Sequence, residues 1–313
     1  MTERVLVTGG AGFIGSHVVE AHLAAGHEVT VLDDLSSGRR ENVPPAARLV
    51  VADIRSPEAR RLAATGAFTV LNHHAAQMDV RRSVADPVFD AEVNVTGLLN
   101  VLEGARAGGV RRVVFASSGG TVYGEGVPPL SEGAPKLPAS PYGVAKLASE
   151  FYLTTFARLY DLDTVALRYS NVFGPRQSPE GEAGVVAIFA RRLRAGEPLT
   201  IFGDGEQTRD MVFVRDVADA NLAAARCPLP PVESIDSRAY NVGTGSETSV
   251  NRLAALLAEA AGRRPALRYA PARPGELRRN ALAVDKAARA LGWRPRTSLA
   301  EGLRLTLRAL AGD

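Results

Sequence analysis

VTGGAGFIG, residues 7–15, sets an apolar run against four glycines and then returns to apolar residues. Gly10, Gly12 and Gly15 match G-x-G-x-x-G, and Gly9, Gly12 and Gly15 match G-x-x-G-x-x-G. Placed directly after a strand, the pattern predicts a tight turn whose backbone comes close to a ligand phosphate, followed by a helix starting near Phe13. The free N–H groups of that helix and the positive end of its dipole would point at the phosphates. Glycines alone could do no more than turn the chain; what gives them meaning is a following strand that ends in an acid. EVTVLDD (28–34) is that strand, and Asp33 stands at its tip, 18 residues after Gly15. A carboxylate there accepts hydrogen bonds from both ribose hydroxyls and repels a 2′-phosphate, so the expectation is NAD rather than NADP, against the nearby Arg39 and Arg40. Asp53 and Ile54, after the third apolar run, either contact the adenine or simply begin a loop.

Outward from this unit, the runs ARLVVAD, FTVLNH, RRVVFASS and DTVALRYS each precede a longer amphipathic segment. Such alternation predicts an α/β fold: a Rossmann-type, doubly wound parallel sheet with helices on both faces. Beyond residue 174 the pattern loosens around Pro and Gly clusters, with helices near 249–262 and 298–311. The division expected is a dinucleotide-binding domain over 1–174 and a smaller C-terminal substrate-binding lobe over 175–313. Elements near 209–225 and 239–245 are candidates to return to the first domain.

The 313 residues are 46% hydrophobic and 23% charged, with a formal net charge of +3. Acids and bases are interspersed, which argues against a nucleic-acid partner. One cysteine, Cys227, excludes an internal disulfide and a multi-thiolate metal site. No apolar run reaches the ~20 residues of a membrane span. The glycines at 9 and 10 interrupt the first apolar run too early for a secretory leader, so the expected location is cytoplasmic.

SPYGVAK (140–146) holds one of only three lysines in the chain. Ser140 suits an N-cap and Pro141 a first helical position, so a helix is predicted from here through Tyr160. Val144, Leu147, Ala148, Phe151, Thr155 and Leu159 make its apolar stripe, and Tyr142 and Lys146 fall one turn apart on the other side. An ammonium near a phenol would lower the Tyr pKa and make it a general base, and a compact ammonium suits this task better than a guanidinium fork. Read in isolation, the pair could be an ordinary solvated i, i+4 contact; the dinucleotide fingerprint upstream favours the catalytic reading.

VTGGAGFIGSH (7–17), LDDLSSG (32–38), HHAAQ (73–77), NVTGLLNVLE (94–103), SSGGTVYG (117–124), SPYGVAK, LRYSNVFGPRQ (167–177) and RPGE (273–276) keep the order and spacing of one family over essentially the whole chain. Together they resemble the extended short-chain dehydrogenase/reductase family, most closely its UDP-glucose 4-epimerases. The resemblance implies NAD held by Gly9, Gly12, Phe13, Ile14, Gly15 and Asp33, by Ala75, Ala76 and Gln77, and by Asn94, Tyr142 and Lys146. It implies catalysis by Tyr142 and Lys146, with the nucleotide sugar bound by Asn171, Arg209, Arg273 and Glu276. Many members carry a Ser third in the SSSATVYG-like segment, where this chain has Gly119. Ser118 is then the expected catalytic hydroxyl, with Thr121 a second candidate.

The activity implied is 4-epimerisation of a UDP-hexose by transient oxidation at C4. A related 4,6-dehydratase or decarboxylase would begin with the same oxidation, and a non-catalytic NAD-binding sensor could share the fold. Dehydratase relatives place an Asp-Glu pair where this chain has Gly120 and Thr121, which favours epimerisation. Family members pair through the helix that starts at Ser140, and its broad apolar surface, including Phe151, Tyr152 and Phe156, leads to the expectation of a homodimer.

Overall fold

A computed structural model of the chain describes residues 2–160, 162–179, 184–272 and 277–311. The first half lays down β1 (Arg4–Thr8), α1 (Phe13–Ala24), β2 (Glu28–Asp33), β3 (Arg48–Val51), α2 (Pro57–Ala63) and β4 (Val70–His73). Then come α3 (Val80–Ala85), α4 (Pro87–Ala91), a π-helical turn (Glu92–Thr96), α5 (Gly97–Ala107), β5 (Arg112–Ser118), α6 (Pro141–Tyr160) and β6 (Asp163–Tyr169). The second half comprises β7 (Asn171–Phe173), α7 (Val185–Ala195), β8 (Leu199–Phe202), β9 (Thr208–Arg209), β10 (Met211–Phe213) and α8 (Val214–Ala224). It ends with β11 (Ala239–Val242), β12 (Thr248–Ser249), α9 (Val250–Ala260), β13 (Leu267–Ala270), α10 (Asp285–Leu291) and α11 (Leu299–Ala311).

Seven strands form one parallel sheet in the order β11-β6-β5-β4-β1-β2-β3. The order reverses between β1 and β4, the point at which loops diverge and leave a crevice at the carboxyl ends of the strands. The consecutive apolar residues of β1 explain why both faces are covered. Val5 and Val7 enter a core with Val19 of α1 and Val217, Ala220 and Ala224 of α8, while Leu6 enters another with Leu98, Val101 and Leu102 of α5 and Leu153 and Phe156 of α6. Successive strand side chains point to opposite faces, so an unbroken apolar run requires helices on both. A third core, containing Phe173, Phe189, Leu193, Ile201, Leu257 and Leu303, holds the C-terminal elements together. Between the segments of this core the chain returns to the sheet: β11 pairs with β6, and α8 packs on α1.

Helix α6 begins as expected, with Ser140 Oγ accepting from the Gly143 N–H at 3.2 Å. Its orientation corrects the reading of the apolar stripe. The buried positions are Gly143, Ala145, Lys146, Ser149, Glu150, Leu153 and Phe156, whereas Val144, Phe151 and Leu159 are exposed. The polar residues turn inward because partners wait for them there: Lys146 donates to the Ala116 carbonyl at 2.8 Å, and Glu150 meets Arg168 and Ser117. Hydrogen-bonded burial of these groups removes most of the penalty that would otherwise turn them outward. Among the described residues, no helix is long and apolar enough to cross a membrane.

Candidate active site

The crevice is built first by glycine. Gly9 has φ of +69°, and a Cβ there would lie 2.5 Å from the Ala75 backbone nitrogen. A Cβ on Gly15 would lie 2.1 Å from the Gly9 carbonyl oxygen, so β1, the turn and α1 can approach this closely only without side chains. Gly12 is the N-cap of the 12-residue α1 and offers no side chain to its N–H groups, so Phe13, Ile14 and the first turn present unshielded donors to the crevice. The uncapped N–H groups of this first turn, held by a glycine-only approach of β1 and α1, fit a dinucleotide pyrophosphate.

Asp33, at the tip of β2, is 6% exposed and accepts backbone N–H bonds from Ala11 and Leu35, each at 2.9 Å. Burial raises its carboxyl pKa, and the two backbone donors oppose that rise. Each oxygen keeps a further acceptor site, which fits a ribose diol. Arg39 and Arg40 are exposed on the neighbouring loop. Asp53 is held by Arg55, with Nη2 at 2.6 Å, which pulls its carboxyl below the usual range. Ile54 is buried against Gly97, and its carbonyl accepts from Asn100 Nδ2 at 2.7 Å. Asn100 thus pins this loop, a role the sequence reading missed although the residue lies in the quoted NVTGLLNVLE motif.

After β4, Ala75 donates its N–H to Thr8 Oγ1 at 3.2 Å, and Ala76 leads into Gln77. Gln77 and Asn94 interlock: Gln77 N–H donates to Asn94 Oδ1 at 3.0 Å, and Asn94 Nδ2 donates to the Gln77 carbonyl at 2.9 Å. Beneath them sits the buried carboxylate of Asp90, another residue the motifs did not announce.

Lys146 is 4% exposed; its Nζ lies 4.8 Å from the centre of the Phe115 ring and 5.7 Å from that of Tyr142. Burial pushes its pKa down to about 8, opposed by the charges of Asp90 and Glu150. Tyr142 differs from expectation. Desolvation, and secondarily the Asp90 charge, raise its phenol pKa rather than lower it. The reason is geometric, since the Lys146 ammonium is spent on the Ala116 carbonyl and the Phe115 face and does not offset the burial of the phenol.

Ser117 and Ser118 separate clearly. Ser117 is buried and donates to Glu150 at 2.5 Å, while Ser118, the last residue of β5, is half-buried at the strand's carboxyl end. Thr121 Oγ1 turns back toward the Ser118 carbonyl at 3.5 Å. A Cβ at Gly119 would lie 2.5 Å from Leu282 Cδ1, so Leu282 occupies the space a side chain at 119 would need.

On the C-terminal side, Asn171 opens β7 and is exposed, and Arg209 donates to the carbonyls of Thr208 and Leu277, each at 2.8 Å. Arg273 and Glu276 lie outside the described residues. Asp210, next to Arg209, was missed: it is buried and accepts from Thr244 N–H (2.8 Å) and Oγ1 (2.6 Å), Gly245 N–H (3.1 Å) and Leu282 N–H (3.2 Å). It ties two loops to β10, and its place between Arg209 and Met211 in the TRDMVFV stretch was the available signal.

Similar proteins point the same way. The model of the NAD dependent epimerase/dehydratase family matches residues 5–243. A UDP-glucose 4-epimerase of Mycolicibacterium smegmatis is 48% identical over 310 residues, 97% of each chain. A solved UDP-glucose 4-epimerase of Thermotoga maritima, with UDP-glucose, superposes with a TM-score of 0.94 at 45% identity over 99% of both chains. That of Thermus thermophilus, in complex with NAD, gives 0.91 at 46% identity, again over 99% of both. With this agreement over nearly the full length, the chain belongs to the NAD dependent epimerase/dehydratase family.

Proposed function

We propose that the protein interconverts UDP-glucose and UDP-galactose by inverting C4 of the hexose, with NAD as a resident cofactor. The observation that carries this reading is the juxtaposition of Tyr142 and Lys146 with the glycine cradle and Asp33 at the carboxyl edge of one parallel sheet. The cofactor would be held by Gly9, Gly12, Phe13, Ile14, Gly15 and Asp33, with Asp53, Ile54, Ala75, Ala76, Gln77, Asn94, Tyr142 and Lys146 along its length. NAD supplies a hydride acceptor that afterwards serves as donor, and its oxidised ring carries a positive charge that favours the Tyr142 phenolate.

Tyr142 takes the proton from the 4-hydroxyl and returns it once C4 has been reduced from the opposite face. Ser118 donates a hydrogen bond to that oxygen and holds it beside the phenol. Asn171 binds the diphosphate, Arg209 and Arg273 the phosphates or the uridine, and Glu276 a ribose hydroxyl, so the nucleotide end stays anchored while the sugar turns over. Gly120 and Thr121 offer no acid–base pair to remove the C6 hydroxyl, which disfavours dehydration. Incubation of the purified protein with UDP-glucose tests this reading: UDP-galactose is the expected product. A 4-keto-6-deoxy sugar as main product, or carbon dioxide from UDP-glucuronate, would replace it with dehydration or decarboxylation.

The chain divides functionally near residue 174, with the sheet-borne cofactor half first and the nucleotide-sugar lobe after it, while α8 and β11 rejoin the first half. It works as a homodimer through α6, a reading supported by the exposure of Val144, Phe151, Tyr152 and Leu159 along one helix. Light scattering at micromolar concentration should give twice the 33.1 kDa chain mass, and a monomer would refute it. The buried free thiol of Cys227 suits the reducing cytoplasm.

A further inference from the structure

From Pro87 to Ala107 the chain runs as one helical rod with a single irregularity, the π-helical turn Glu92–Thr96. Such turns insert one residue into a helix and gather at functional sites because they re-aim a side chain. Asn94 sits in this turn, and Asp90 lies four residues before it. Asp90 Oδ1 accepts from Asn94 Nδ2 at 2.9 Å and from Gln77 Nε2 at 2.8 Å. The Asn94 carbonyl in turn accepts from Ser149 Oγ at 3.1 Å, and Ser149 lies on α6 three residues beyond Lys146. A continuous path of hydrogen bonds therefore joins Asp90 to the helix that carries the catalytic pair.

A carboxylate needed only to tie Gln77 to Asn94 could be an amide. Asp90 is 1% exposed, its Oδ2 is buried without a hydrogen-bond partner, and it makes no ion pair among the described residues. Keeping such a charge is costly unless another charge answers it. The charged and titratable groups around Lys146 are Asp90, Glu150, His73, His74 and Tyr142. Glu150 is already shared between Arg168 and Ser117, and burial keeps both imidazoles neutral.

We propose that Asp90 is a positioning residue for the Tyr142–Lys146 pair, its Oδ1 fixing Gln77 and Asn94 while its charge answers the Lys146 ammonium. This rests on the catalytic reading of that pair, and the decisive measurement is independent of turnover. The chain has three lysines, Lys136, Lys146 and Lys286, so ¹³C-lysine NMR of the whole protein gives three side-chain titrations, with Lys146 assigned through Lys146→Arg. In Asp90→Asn the Lys146 midpoint should fall by roughly one pH unit, as expected for loss of a nearby opposite charge, with Lys136 and Lys286 unmoved. An unshifted Lys146 overturns the proposal.

Epimerisation of UDP-galactose should show both limbs of its pH profile displaced to lower pH in the same variant. A wild-type protein that turns over no sugar, yet whose Lys146 responds to Asp90→Asn, would refute the function and leave the proposal standing. Should Asp90→Asn fail to fold, Asp90→Glu decides the positioning half. It keeps the charge and displaces Oδ1, so kcat should fall about tenfold or more with the Lys146 midpoint unchanged. Unaltered kcat in Asp90→Glu overturns it.

Discussion

Glu150 of α6 and Arg168 of β6 form a buried bidentate pair: Arg168 Nε lies 3.0 and 3.1 Å from the two carboxylate oxygens, and Nη2 lies 2.6 Å from Oε2. Both side chains are at most 1% exposed, and the remaining Arg168 nitrogen donates to Tyr123 Oη (3.0 Å) and to the Glu132 carbonyl (3.1 Å). Glu150 stands one turn after Lys146, so this contact sets how α6 lies on the sheet.

Removing Glu150 takes the carboxylate from Arg168 Nε and Nη2 and leaves Asp236, its Oδ1 2.9 Å from Nη2, as the remaining charged partner. Glu150→Ala should therefore cost about 1–3 kcal/mol in denaturant unfolding, the penalty of buried donors left without an acceptor. A loss below about 1 kcal/mol would mean that the pair is dispensable to the fold.

Gly119 and Leu282 give the second prediction. With Leu282 Cδ1 2.5 Å from a Cβ at 119 and the Arg168 carbonyl oxygen 3.2 Å from it, Gly119→Ser should destabilise by about 1–3 kcal/mol, and Leu282→Ala should relieve part of that. Ser118→Ala should reduce kcat by about 10² to 10³, more than Thr121→Ala, because Ser118 alone is assigned the donor role. The reverse ranking in steady-state kinetics would transfer that role to Thr121.

These two cases also show what the sequence made legible. The strand, glycine turn, helix and acid at 4–33 could be read directly, because each feature is local and rests on backbone demands. The start of α6 at Ser140 was equally plain, for the same reason. Which side of α6 is buried was not, since an apolar stripe shows that a face seeks cover and cannot show whether this sheet or another chain supplies it. Lys146, Glu150 and Ser149 face inward only because Ala116, Arg168 and Asn94 await them from distant segments. Asp210 escaped notice likewise, its partners lying up to 72 residues away; Asp90, whose partners Asn94 and Gln77 are only 4 and 13 residues from it, lies in no quoted motif.

For the catalytic pair itself, Tyr142→Phe should leave NAD bound and lower kcat by about 10² or more, the loss expected on removing a general base. Lys146→Arg keeps a charge but not its shape. The guanidinium cannot fit between the Ala116 carbonyl and the Phe115 ring as the ammonium does, so this variant should also be severely impaired. Normal turnover by either variant would remove that residue from the catalytic machinery.

The last prediction concerns pH and the buried imidazoles. His22 is fully enclosed, its Nδ1 2.9 Å from His27 Nδ1, and burial, reinforced by the Arg226 charge, lowers its pKa to about 3. In the unfolded chain an imidazole protonates near pH 6.5. Between these values the unfolded state binds a proton that the native state refuses, so stability falls as pH decreases from about 6.5 toward 3 and is unaffected by this group at higher pH. The slope is on the order of 1.4 kcal/mol per pH unit for one such group. Replacing the group isolates it from the other titrations of the protein: in His22→Gln the unfolding free energy should lose that much of its pH dependence. The difference between wild type and variant should thus shift in the variant's favour by roughly 2 kcal/mol from pH 6.5 to pH 5, as read from urea midpoints at each pH. A difference that stays constant across that interval would show that His22 accepts its proton in the folded protein.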